Sequence, residues 1–151
     1  MELSTINYVL GAIVFLLLIR RFFFSEPDVP VPQEPEPMVY TVFTPSSLEK
    51  FNGESDPRVL LAVKGKVFDV TMGKSFYGPG GPYANFAGHD ASRGLAKNSF
   101  DPSMITPVNE PIDNLSDLDD EERKALDEWF NHFEAKYPIC GELVNESAKS
   151  K

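Results

Sequence analysis

Apolar positions along the chain follow two regimes. Residues 3–19 form a run without a single charge, closed by Arg20 and Arg21 and followed by Phe22, Phe23 and Phe24. As a helix, this run reaches about 25 Å, the short end of what a bilayer core requires, with the phenylalanines at the interface. A cleavable signal would carry basic residues before the apolar stretch and small residues after it. Here Glu2 precedes and two arginines follow, so residues 1–24 are expected to be a retained, single-pass anchor. The positive-inside rule then places the rest of the chain in the cytosol, and charge and length point to the endoplasmic reticulum membrane.

Residues 25–38 hold five prolines interleaved with Glu26, Asp28, Glu34 and Glu36. Such a segment cannot build a core but does stiffen a chain. As polyproline it would be a stalk reaching about 40 Å, serving either as a spacer toward a membrane-bound partner or as a passive linker. Its carboxylates repel anionic headgroups.

From residue 39 the pattern becomes that of a folded domain. Val39-Tyr40-Thr41-Val42-Phe43 reads as a strand, and Thr44-Pro45 as the start of a short helix carrying Leu48 and Phe51. Residues 59–63 and 66–70, joined by Lys64-Gly65, predict a β-hairpin. Six of the ten glycines fall between Met72 and Gly94, marking that stretch as loop. A short helix capped by Asp90 should carry Ala91, Leu95 and Ala96, followed by an irregular segment with Pro102, Pro107 and Pro111. Leu118, Ala125, Leu126, Trp129, Phe130 and Phe133 recur at helical spacing behind a run of acids suited to a helix N-terminus. The expected domain is 39–144, with 145–151 a disordered tail.

Charge narrows the function. A net charge of -9 makes phosphate neutralisation a poor basis for activity and argues against nucleic acid as a partner. The single cysteine, Cys140, cannot close an intrachain disulfide and suits a reducing compartment. Between Glu110 and Glu122 lie seven carboxylates and no base, either a solvated helix start or a docking face for a basic partner. Standard catalytic motifs are missing, and His89, His132 and Cys140 lack the spacing of a structural zinc site. His132 reads as a surface residue.

Residues 76–95 carry the candidate chemistry. Tyr77 and Tyr83 sit on a Gly/Pro loop leading into a helix, with Phe86 and Leu95 available as an apolar wall. Glycine lets backbone approach a flat ligand closely, and proline fixes the loop beforehand. Composition alone favours an ordinary loop whose tyrosines cap the core.

Phe-Tyr-Gly-Pro-x-Gly-Pro-Tyr, followed by Phe-Ala-Gly-x-Asp-Ala-Ser-Arg-Gly-Leu, resembles the membrane-associated progesterone receptor component family, most of all its fungal damage-resistance haem proteins. The Thr44-Pro45 helix start, the hairpin and the segment from Trp129 to Tyr137 share the likeness, which runs from about Tyr40 to Leu143. It implies an α+β, cytochrome b5-like haem-binding domain, a small mixed sheet with short helices around a pocket, on a single N-terminal transmembrane helix. It also implies ferric haem b (heme b) with Tyr83 as axial ligand and with Tyr77, Lys136 and Tyr137 hydrogen-bonding the haem or its propionates. The implied role is non-enzymatic: an adaptor for cytochrome P-450 monooxygenases of sterol synthesis, able to form a homodimer through an exposed haem face. The alternatives are an electron donor to such enzymes or a steroid-binding receptor component. Two departures are His89, where many members have arginine and no ligand, and Pro138-Ile139-Cys140 after the Lys-Tyr pair. The histidine-ligating His-Pro-Gly-Gly of typical cytochrome b5 domains is absent.

Overall fold

The structure, a computed structural model, describes residues 3–23 and 36–149; Phe24 and most of the stalk lie outside the described residues. The chain divides into two compact units, the second beginning at Pro35. Helix α1, Leu3–Phe23, continues through the two arginines. Its large apolar residues, among them Val9, Leu10, Ile13, Val14 and Phe15, are exposed on all sides, unlike the single apolar stripe of a helix made to pack on a core. Its 21 residues rise about 31 Å, so by length and composition it is able to cross a bilayer.

The second unit is built on a four-stranded mixed sheet, β1 (Thr41–Phe43), β2 (Leu60–Val63), β3 (Lys66–Asp69) and β4 (Ile139–Leu143), in the order β1-β4-β3-β2. The predicted hairpin forms with Val63 opposite Lys66. Lys64 and Gly65 both take positive φ, 50° and 77°, the conformation whose twist matches paired strands. The first strand is shorter than expected and pairs parallel with β4, Thr41 against Gly141. β4 itself, central in the sheet, was not foreseen. It pairs antiparallel with β3, and a register shift between Val67 and Phe68 leaves Cys140 as the extra residue of a bulge.

Both faces of the sheet are covered, which is why residues 59–63 are apolar without alternation. Leu61, Val63 and Phe68 face a larger core with Phe86, Leu95, Leu126 and Phe133. Leu60, Ala62 and Val67 face a smaller one with Phe43, Leu48, Phe51 and Cys140. Helix α2 (Pro45–Glu49) closes the smaller core and begins at a capping box: Ser47 N–H donates to Thr44 Oγ1 at 3.3 Å, Thr44 N–H to Ser47 Oγ at 2.8 Å. The long helix α5 (Asp120–Lys136) starts in the same way, with Asp119 and Glu122 reciprocally bonded. Between β3 and α5 lie the short α3 (Lys74–Tyr77) and α4 (Ser92–Ala96). Asp90, the predicted cap of α4, stands one position further out; it accepts Ser92 N–H at 3.0 Å, while Ala91 is the boundary residue. Residues 146–149, assigned above to a disordered tail, form a helical turn, α6 (Glu146–Lys149), where Glu146 accepts the Ser46 N–H at 3.0 Å.

Candidate functional site

Backbone hydrogen bonds rather than long elements shape the chain after β3. Gly78 N–H donates to Lys74 O (2.8 Å), Gly81 N–H to Gly78 O (2.9 Å) and Tyr83 N–H to Phe76 O (2.9 Å), closing residues 76–83 into a tight loop. This closure sets Tyr77, at the end of α3, beside Tyr83, with ring centroids 5.7 Å apart. Beyond it, Gly88 N–H donates to Leu60 O (2.7 Å), Ala62 N–H to His89 O (2.9 Å) and Ala91 N–H to Ala62 O (2.8 Å), stitching the loop's exit onto β2. A site on a loop tied in this way takes its precision from the sheet.

The end of α5 brings a third phenol. Tyr137 lies edge-on to Tyr77 at 6.3 Å, and Phe133 packs 5.7 Å from each. Gly73 makes this possible, since a Cβ there would collide with Tyr137 Oη. Lys136 is exposed; its Nζ stands 5.8 Å from the Phe76 ring centre and 5.4 Å from that of Tyr137. Among the described residues it makes no salt bridge, so its charge is open to an anionic ligand. The four residues singled out by the sequence thus converge: three phenols together and one cation beside them.

The tyrosines border a cleft lined by Tyr77, Tyr83, Phe86, Leu95, Phe100 and Trp129, with free space of about 10 Å³, room for one water at most. Phe86 and Leu95 supply apolar wall as expected. Phe100 went unnoticed in the sequence; it is an aromatic in an irregular, proline-punctuated segment, and only its position relative to Tyr83 reveals it. Burial pushes the Tyr77 phenol up to about 12, reinforced by Tyr137 and Tyr83, so at neutral pH Tyr77 keeps its proton and is a donor. Tyr83 is only half-buried. His89 belongs to a different cavity, an open cleft of about 460 Å³ shared with Asn52, Asn85 and Ile105. Burial lowers its pKa, with Glu49 opposing, so it is uncharged at neutral pH. Tyr83 does not line that cleft.

The acidic run of residues 110–122 is largely engaged within the domain. Arg93 binds Asp113 through Nε and Nη2, and Asp117 through Nη1 and Nη2. Lys97 Nζ reaches Glu122 at 2.8 Å, and Asp119 caps α5. Glu110, Asp120 and Glu121 remain as exposed carboxylates without such roles.

Comparison with known proteins settles the family. The model described as "Cytochrome b5-like Heme/Steroid binding domain" matches residues 44–143. Over 146 residues the chain is 43% identical to "Cytochrome P450 regulator dap1" of Schizosaccharomyces pombe, covering 96% of this chain and 88% of that one. Over 102 residues it is 46% identical to "Membrane-associated progesterone receptor component 2" of Homo sapiens, covering 68% of this chain and 44% of that protein. The chain belongs to the membrane-associated progesterone receptor component family. Among solved structures, an Arabidopsis thaliana protein described as having a cytochrome b5 like fold superposes with a TM-score of 0.61 at 42% identity, covering 74% of this chain and 98% of that one.

The site of this family member fits a haem on chemical grounds. A half-exposed phenol offers a hard oxygen donor, a protonated phenol and a cation stand ready for carboxylates, and the remaining walls are apolar. The larger cleft has the volume of a ligand pocket but contains none of the tyrosines.

Proposed function

We propose that this protein is a membrane-anchored, haem-binding adaptor for cytochrome P-450 monooxygenases of sterol synthesis, with its domain on the cytosolic side of the endoplasmic reticulum membrane. The convergence of Tyr77, Tyr83 and Tyr137 with Lys136 in a chain of this family carries the reading. The names of its relatives, a P450 regulator and a receptor component, support a non-enzymatic role. The apolar helix α1 supports the membrane anchor.

Haem b would supply a ferric centre that accepts an anionic oxygen ligand. Tyr83, at the cleft's edge, would give that oxygen as phenolate, its proton leaving to solvent. Tyr77 would donate a hydrogen bond to the group, and Lys136 and Tyr137 would hold its carboxylate rim. Phe86 and Leu95, which line the cleft, would exclude water from its buried edge. An anionic oxygen ligand favours the ferric over the ferrous state, which favours a regulatory role over electron transfer. A second protomer stacked on the open haem face belongs to the same reading.

The test is the absorption spectrum of the full chain in detergent with ferric haem. A high-spin spectrum with a charge-transfer band is expected in wild type, lost in Tyr83→Phe and merely weakened in Tyr77→Phe. Equal spectra in wild type and Tyr83→Phe would overturn the ligand assignment. Fast reduction at a potential within reach of flavoprotein reductases would favour electron transfer instead.

A further inference from the structure

The cleft at Tyr83 is covered by a residue to which the haem reading gives no task. Phe100 is 44% exposed, yet its ring centroid lies 4.7 Å from that of Tyr83 and 5.7 Å from that of Phe86. It stands on the irregular chain between α4 and α5, anchored at its ends by Arg93 with Asp113 and Asp117 and by Lys97 with Glu122. Between those anchors Ile105 packs on the larger core and Ile112 on the smaller, while Phe100 itself stands at the surface. Within 100–107 the hydrogen bonds are those of its own turns, such as Met104 N–H to Asp101 O and Ile105 N–H to Pro102 O. Among the described residues, one hydrogen bond ties that stretch to the Tyr83 loop: Asn85 Nδ2 donates to Phe100 O at 2.6 Å.

One further feature leaves room for movement. Pro102, Ile105 and Pro107 border the open cleft of about 460 Å³, so outward displacement of the segment meets solvent space on that side, Ile105 being the residue that also packs on the larger core. The space around the tyrosines amounts to about 10 Å³. Any planar macrocycle bonded to the Tyr83 oxygen therefore needs room that Phe100 now fills.

We infer that Phe100 is a gate over Tyr83, latched by Asn85, which must swing away before a porphyrin-class ligand reaches the phenol. This deepens the haem reading and rests on it. Only the open fraction of molecules is competent to bind, so the gate slows uptake and lowers apparent affinity.

The experiment uses the full chain in detergent, with ferric haemin as probe. Uptake is followed by stopped flow and release by capture in apomyoglobin, for wild type, Phe100→Ala, Asn85→Ala and Tyr83→Phe. Phe100→Ala should take up haemin about tenfold faster and Asn85→Ala about threefold faster, with release changed by less than about twofold, so that binding tightens. Unchanged uptake in both variants, or weaker binding through faster release, would overturn the gate; the latter would make Phe100 a wall of the bound group. A second arm needs no haem: nitration of Tyr83 by tetranitromethane, scored by peptide mass against exposed Tyr40, should rise severalfold in Phe100→Ala. Uptake insensitive to Tyr83→Phe would sink the haem reading, while the nitration ratio judges the gate by itself. If near-ultraviolet circular dichroism shows Phe100→Ala unfolded, Asn85→Ala carries both arms.

Discussion

Replacing Tyr77 by phenylalanine should leave the protein nearly unchanged at neutral pH and make it more resistant to alkali. The Tyr77 phenol is raised from 10.0 to about 12, with burial as the main cause and Tyr137 and Tyr83 adding to it. A folded-state value above the unfolded one means that the contribution is fully present below pH 10 and is lost as pH rises toward 12. Two units at about 1.36 kcal/mol each amount to about 2.7 kcal/mol of folding stability lost across that window. The ring keeps its packing on Tyr83, Phe133 and Tyr137 when the hydroxyl goes, so the neutral-pH change should stay below about 1 kcal/mol. The assay is urea unfolding of the full chain in detergent at pH values from about 8 to about 11.5, read through Trp129, the single tryptophan. Wild type should lose on the order of 2 kcal/mol more than the variant by the upper end. Parallel pH curves would refute the placement of Tyr77 as a buried, proton-holding phenol, and with it the assignment of Tyr77 as donor and Tyr83 as ligand.

Arg93→Met should cost about 1–2 kcal/mol through the partly buried Asp113 pair, read by chemical denaturation. Asp113 and Asp117 are held low mainly by Arg93, Asp117 near 2 against an ordinary 3.8. Their stabilisation is therefore present above pH 3.8 and lost as pH falls toward 2; the variant should show a flatter acid limb, and an unchanged one would count against the pairing. Gly73→Ala should destabilise by about 1–3 kcal/mol in a thermal melt and lower haem retention, because the added methyl displaces Tyr137. Cys140 is buried, and burial, aided by Asp69, pushes its thiol up to about 12. It should resist thiol reagents in the native protein and react on unfolding; rapid native labelling would contradict its place in the smaller core.

Much of the fold could be read directly because its signals are local. The hairpin declares itself through two apolar runs around Lys64-Gly65, and α5 through its spacing and acidic first turn. β4 could not be read, although it is central, because its sequence obeys a non-local constraint. Gly141 sits where a Cβ would collide with Thr41 O and the Phe43 ring; glycine there, and the bulge at Cys140, erase the alternation that marks a strand. Its partner β1 is about a hundred residues away in the chain, and no window of sequence joins the two.

The same distinction runs through the site. Tyr77 and Tyr83 share one loop, so their neighbourhood was legible, whereas Phe100 reaches Tyr83 only through the path of the chain after α4. Charge was misleading for the same reason. The seven carboxylates of residues 110–122 look unneutralised along the chain, yet Arg93 and Lys97 on the α4 side take three of them. Those pairs fasten both ends of the segment that carries Phe100, so their charge goes first to architecture. Besides Glu110, an electrostatic partner then finds on α5 the carboxylates that stay exposed: Asp120 and Glu121 at its start, and Glu128 and Glu134 further along it. These lie on one helix, spaced by about two turns, and a salt-sensitive association with a basic surface should weaken when they are neutralised and not when Asp113 or Asp117 is.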